Sequence, residues 1–335
     1  MGLEAVGSTF TKGWRRGARG QMVTSKITGR AFMIDTVGLG NSNMVAVYVV
    51  KGARRTAVID CGYASSYGNV MQGLRQLGIE PSRVDYLIPT HVHLDHAGAA
   101  GHLIRYMPRA RVIAHERAVP HLVDPTRLVE GATSVFGEKL VQMYGKPLPI
   151  DKERVTAVGE ESHIDLGGAT LTTLHAPGHA PHQISVLFEE EHLLFSADAV
   201  GMVFPSFPTL VPATPPPSFD PVKHTQTLEM LRQTDPKMLL VPHYGVRKDV
   251  NLVIDRTKEK TDQWVKDVSK LNDMHLTPEQ IVDEIRRKIT DETGIPPGGF
   301  PGYVNVVMRV SVLGILGYLS RSNAAAAASK TQEVR

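Results

Sequence analysis

Six positions, His91-Val92-His93-Leu94-Asp95-His96, hold three histidines and an aspartate just behind the apolar run Tyr86-Leu87-Ile88-Pro89. So many donors in one short stretch are useful only where a strand ends and delivers them to one place. His91 and His93 are two apart, so extended backbone projects them to the same side. Asp95 and His96 follow where the chain turns toward the next helix. Imidazole nitrogens suit a borderline metal and a carboxylate balances its charge, so one loop can serve two ions. The competing reading is a solvated, histidine-rich loop, and the position directly after a strand argues against it.

Three further residues stand in the same context. His179 lies in His175-Ala-Pro-Gly-His179, Asp198 in Leu193-Leu-Phe-Ser-Ala-Asp198, and His243 in Leu239-Leu-Val-Pro-His243-Tyr-Gly. Each closes an apolar, strand-like run. With these three following in order, the His-x-His-x-Asp-His pattern resembles the metallo-β-lactamase fold superfamily, and within it the glyoxalase II-like hydrolase branch. The resemblance extends over roughly residues 32–250. It implies an α/β fold, an αββα sandwich with metals at one edge between the sheets. It assigns His91, His93 and His179 to one ion and Asp95, His96 and His243 to a second, with Asp198 bridging.

Two divalent ions are therefore expected, zinc first, with iron or manganese as alternatives. Two such ions about 3.5–4 Å apart can share a hydroxide, because each lowers the pKa of bound water toward about 7. The bridging hydroxide is the expected nucleophile toward an ester, thioester or lactone, with phosphoesters as further substrates. Asp95 orients it and Asp198 holds the ions, which makes these two the catalytic carboxylates. In the resembled family an aspartate at Asp60 supports the metal loop from behind; a turn-capping role fits that position equally.

Departures from relatives narrow the chemistry. The commonest class B β-lactamases carry a cysteine where Asp198 stands, which argues against penicillin hydrolysis. Flavodiiron proteins carry an acidic residue in place of His93, together with a flavin domain. Acyl-homoserine lactonases commonly carry a tyrosine at the position of Gly201. The alternative reading is a mononuclear iron oxygenase resembling the persulfide dioxygenases, which keep the same histidines and use fewer of the ligands.

Composition sets outer limits. A chain of 335 residues, 42% hydrophobic and 21% charged, accommodates one large domain and a smaller addition. A formal charge of +3 gives no electrostatic argument for a nucleic-acid partner. The single Cys61 excludes an intramolecular disulfide and a thiolate metal cluster, which fits a reducing, cytoplasmic compartment. A homo-oligomer is compatible with the sequence.

Residues 1–30 read as a flexible basic leader, with Lys12, Arg15, Arg16 and Arg19 among glycines and no apolar core of the secretory type. Residues 31–250 hold two blocks of strands interleaved with helices, the catalytic domain. A helix over Ser134–Tyr144 reads as an insertion near the site. Pro205–Pro221, rich in proline, is a stiff extended loop and one wall of the substrate pocket. Phe204 and Phe207 at its start, His182 three after His179, and Tyr244 beside His243 are the candidate contacts to a small-molecule substrate. Residues 251–321 read as a C-terminal helical region. Its apolar segment Tyr303–Leu319 is interrupted by Asn305, Arg309 and Ser311, so it reads as a core helix and no membrane partner is expected. Residues 322–335, with five consecutive alanines, read as a disordered tail.

Overall fold

Two sheets lie face to face in the computed structural model, which describes residues 23–333 and their side chains as far as Ala324. The first joins β1 (Thr24–Lys26), β2 (Ala31–Asp35), β3 (Ala46–Lys51), β4 (Thr56–Ile59), β5 (Tyr86–Ile88), β6 (Arg111–His115) and β7 (Val155–Val158) in that order. Neighbours are antiparallel from β1 to β4 and parallel from β4 to β7. The second joins β8 (Glu161–Asp165), β9 (Thr170–His175), β10 (Ile184–Phe188), β11 (Leu193–Phe195), β12 (Met238–Val241) and β13 (Gly245–Arg247). Only β11 and β12 are parallel there.

The central strands are apolar on both faces, as sheets covered on both sides must be. Along β3, Ala46, Tyr48 and Val50 point into the space between the sheets, where they meet Phe188, Phe195 and Leu240 of the second sheet. Val47 and Val49 point the other way, into a core completed by Val70, Met71 and Leu74 of α1 (Tyr67–Gln76) and Leu103 of α2 (Ala100–Leu103). Burying each such side chain contributes roughly 1.5–3 kcal/mol. The αββα sandwich expected from the sequence is the observed architecture.

Between β6 and β7 lie α3 (Val119–Val123), α4 (Thr126–Phe136) and α5 (Glu138–Tyr144). The expected single helix over 134–144 is thus two helices, and the first starts eight residues earlier. Gly137, at φ 81° and ψ 155°, separates them, a conformation open to glycine and strained for other residues. After β11 come the proline-rich loop and α6 (Pro221–Gln233), capped by the Asp220 carboxylate, which accepts from the amides of Val222 and Lys223.

The last part of the chain is α7 (Val250–Asp273), α8 (Pro278–Thr293) and α9 (Gly302–Glu333). Thr277 and Gln280 form the capping box at the start of α8. Trp264, Ile281, Ile285, Val304, Met308, Val312 and Ile315 close a core of their own around Phe204, Phe207 and Phe219 of the preceding loop. By length and composition Gly302–Ala324 could cross a bilayer, and its buried face packs in this core.

Both ends of the chain depart from expectation. Thr24–Lys26 pairs with β2, so the last residues assigned to the basic leader belong to the sheet; residues 1–22 lie outside the described residues. At the other end α9 continues to Glu333 where a disordered tail was expected from 322. Alanine has the highest helix propensity, so the run of alanines carries the helix on past its packed portion.

Candidate metal centre

The seven side chains singled out in the sequence meet at one edge of the sandwich, each delivered by a strand end. The 91–98 loop follows β5, His179 follows β9, Asp198 follows β11 and His243 follows β12. The loop is tightly wound. The amides of His96 and Ala97 donate to the His93 carbonyl, and the Cys61 amide donates to that of His96. A Cβ at Gly98 would stand 2.1 Å from the Leu94 carbonyl oxygen, so glycine is required for this turn.

Ligand atoms fall into groups within 4.8 Å of one another: His91, His93 and His179; Asp95, His96 and His243; and His91, His96 and Asp198. In the first group His93 Nδ1 is 2.9 Å from His91 Nε2 and 3.0 Å from His179 Nε2. In the second, His243 Nε2 is 3.4 Å from Asp95 Oδ2 and 3.2 Å from His96 Nε2. Asp198 faces both: Oδ2 is 3.5 Å from His179 Nε2, while Oδ1 is 3.4 Å from His96 Nε2 and 3.6 Å from His243 Nε2.

The outer partners decide which ring nitrogen points inward. His179 Nδ1 donates to the Ala213 carbonyl at 2.9 Å, and His243 Nδ1 to the Met44 carbonyl at 2.9 Å. His96 Nδ1 donates to Asp60 Oδ2 at 2.9 Å, while Asp60 Oδ1 accepts from the Thr90 amide and hydroxyl. Carbonyl and carboxylate oxygens only accept, so these Nδ1 atoms carry hydrogen and the Nε2 atoms are the ones that face the cluster. That is the ligand orientation a metal requires. Asp60 therefore supports the loop from behind, as the resemblance implied.

One buried atom tests whether the residues fit a cation. Asp198 Oδ1 has no hydrogen-bond partner, although an orphaned buried carboxylate oxygen is costly. Five inward imidazole nitrogens and two carboxylates gathered there fit divalent metal. The electrostatics agree. Burial pushes the Asp198 carboxyl up, but His96, His243 and His179 outweigh it and hold it below the usual carboxylate range. Burial opposes charge on His96 as well, yet the carboxylates of Asp198, Asp60 and Asp95 raise it well above an ordinary histidine. His91 and His93 are held well below by burial and by neighbouring histidines, hence neutral and ready to donate.

Of the seven, His93 and Asp95 are the two not fully buried, and both line a cleft of about 470 Å³. His182 lines it too, 9% exposed, with an unpartnered Nδ1. Burial first, then His121 and His179, bring this imidazole down to about 3, so it is neutral at ordinary pH. The remaining candidate contacts fall elsewhere. Phe204 and Phe207 are 3% exposed and belong to the C-terminal core, Phe204 against Tyr303 and His243, Phe207 against Phe300. Tyr244 packs at the inter-sheet core, where burial and Asp35 push its hydroxyl well up. The proline-rich loop is a wall of the cleft through Pro215, Pro216, Pro217 and Ser218, its far end.

Sequence reasoning missed Gln183 and, in the α4 wall, the turns before Ser134. Gln183 ties the His179 turn to Asp198, donating to the Ala176 carbonyl and accepting from the Asp198 amide at 3.3 Å. The wall comprises Leu128, Ala132, Val135 and Phe136. Their helical spacing from Thr126 was the available signal.

A family profile of the metallo-beta-lactamase superfamily matches residues 40–243, and the chain belongs to that superfamily. It is similar to the metallo-beta-lactamase fold-containing protein ST1585 of Sulfurisphaera tokodaii, 28% identical over 206 residues, 61% of this chain and 74% of that one. The solved structure of ST1585 matches with a TM-score of 0.56 at 26% identity, covering 65% and 80% of the two chains. The coenzyme F420H(2) oxidase of Methanothermobacter marburgensis is 33% identical over 162 residues, 46% of this chain but only 34% of that protein. N-acyl homoserine lactonase AttM of Azorhizobium caulinodans is 26% identical over 173 residues, 51% of this chain and 62% of that one.

Proposed function

We propose that the protein is a dinuclear metal-dependent hydrolase of the glyoxalase II-like kind, cleaving an ester, thioester or lactone bond in a small-molecule substrate. The observation that carries the reading is Asp198, whose two oxygens address separate donor groups. A carboxylate placed in this way suits two ions better than one. His91, His93 and His179 would hold the first, Asp95, His96 and His243 the second, with Asp198 shared. Divalent ions held there supply Lewis acidity toward a carbonyl oxygen and a water of lowered pKa.

The chain supplies the rest. Asp95 is the cluster carboxylate exposed to the cleft, placed to accept a hydrogen bond from the attacking oxygen and hold its lone pair toward the substrate. His182 offers a neutral ring nitrogen to a substrate oxygen from the cleft wall. Apolar walls exclude other water and strengthen these contacts. The similarity to lactonase AttM supports this chemistry.

The similarity to an F420H(2) oxidase favours a second reading, oxygen chemistry at the same cluster, in the form of a mononuclear iron oxygenase resembling the persulfide dioxygenases. Metal analysis of purified protein with an assay panel of thioesters, lactones and aryl esters decides between them. Two zinc-like ions per chain with turnover of the panel is the expected result. One iron per chain, without hydrolysis, would replace the first reading by the second.

A further inference from the structure

The cleft beside His93 and Asp95 has an asymmetry that the chemistry of the centre does not require. Its mouth lies between exposed Arg127, Gly131 and Ser134 on one side and Pro217 and Ser218 on the other. Its floor is the cluster. Between them the walls are hydrocarbon: Leu128, Ala132, Val135 and Phe136 of α4, Val310 of α9, and prolines. Apart from the mouth residues, its polar lining is Asp95, His93 and the unpartnered His182 Nδ1 at the floor, with His121 and Tyr144. Such a site seats an apolar chain and fixes one polar group at its inner end.

α4 is made for this wall. Its apolar residues Leu128, Val129, Ala132, Val135 and Phe136 follow helical spacing, yet none of the eleven residues is buried. Helix positions three and four apart share a face. Arg127, Leu128, Gly131, Ala132, Ser134 and Val135 are such neighbours, and all line the cleft. Gly131 stands at the centre of this stripe, and a Cβ added to it would meet nothing within 4 Å. Glycine inside a helix costs about 1 kcal/mol relative to alanine, and here no close packing demands it.

We propose that the cleft is an acyl-chain site: the substrate carries an apolar acyl group seated against α4 with its carbonyl at Asp95 and His93, and the space left by Gly131 sets the chain length accepted. The proposal rests on the hydrolase reading above. Hydrolysis adds water across the acyl–oxygen or acyl–sulfur bond, the hydroxyl going to the acyl carbon and the proton to the departing alcohol or thiol.

The test uses the metal-loaded full chain and two readouts. Calorimetry measures binding of straight-chain carboxylates from acetate to decanoate, the product class, and kcat/KM is measured for aryl esters of the same acids. Each added methylene should improve both by about fourfold until the cleft is full. In Gly131→Phe the limit should move to shorter chains, so that the decanoate-to-acetate ratio collapses while metal content is kept. Gly131→Ala, a gentler change at the same open position, should move it in the same direction by less.

Equal affinity for acetate and decanoate would overturn the proposal, as would an unmoved limit in a folded Gly131→Phe protein. A chain-length gain seen with alkyl acetates and not with acyl esters would also overturn it, by placing the chain on the departing side. Chain-length-dependent binding of carboxylates with no turnover of any ester, thioester or lactone would support the cleft and overturn the hydrolase reading beneath it.

Discussion

Two helices border the same cleft and use their apolar residues in opposite ways. α9 sinks Val304, Met308, Val312 and Ile315 into the C-terminal core and offers Val310 to the cleft. α4 buries no residue fully and leaves Leu128, Val135 and Phe136 half-covered over the cavity. The apolar surface of α9 already stabilises the fold. That of α4 packs only in part, against the small core around Tyr63, Leu140 and Tyr144, and covering the remainder with a ligand would add to binding. The contrast shows why a moderately packed helix beside a site is informative: incomplete burial is tolerated where a substrate completes it.

The change with the largest expected effect separates both walls from the centre they flank. Asp198→Asn keeps the shape and removes the charge shared by the two donor groups. Altering a residue that merely supports a ligand costs about 10–100-fold, so turnover should fall at least about 100-fold, with the melting temperature of each wall's surroundings little changed. Near-normal kinetics in this variant would show that Asp198 does not bridge.

Metal uptake gives the next effect, and neither apolar wall should influence it. Burial alone would lower His243, yet Asp198 and Asp95 raise it above the ordinary value, and His96 is raised further. Both imidazoles therefore take a proton more readily than an ordinary histidine without metal, and binding must compete with that proton. Apparent affinity should weaken as pH falls, starting above the ordinary histidine range because both groups are raised, by up to about tenfold per unit for each proton displaced. Calorimetry in buffers of different ionisation enthalpy reads the protons directly; none released would contradict the assignment of these ligands.

Truncation then sets the helices against each other. Met308→Ala should cost about 2–5 kcal/mol, the range for a filled core site. Leu128→Ala, half-buried, should cost about 1 kcal/mol or less in denaturant unfolding and shift substrate preference instead. Equal losses would erase the distinction between a structural wall and a ligand wall.

Two glycines sharpen the contrast by sign. A Cβ at Gly314 of α9 would stand 1.8 Å from the Thr214 carbonyl oxygen, so Gly314→Ala should destabilise by roughly 1–3 kcal/mol through forced separation of helix and loop. Gly131→Ala in α4 meets open space and should stabilise by about 0.4–1 kcal/mol. Thermal unfolding of the pair shows opposite signs if the two helices differ as described.

Much of the centre was legible without coordinates because its signals are local. A strand is marked by a few consecutive residues, and His91, His179, Asp198 and His243 each stand just beyond such a run. The sandwich followed from the alternation of strands and helices. What lines the cleft was decided by contacts between residues far apart in the chain. Phe204 and Phe207 stand close to Asp198 along the chain, but Phe300 and Tyr303, about a hundred positions later, close over them. The same loop reaches the cleft only at Pro215–Ser218, after its course has been set by Gly314 against Thr214. The position of α4 over the metals, the empty space at Gly131 and the two-sided placement of Asp198 have no local signature. Burial and direction at those sites are properties of packed neighbours, and only the tertiary structure determines which neighbours arrive.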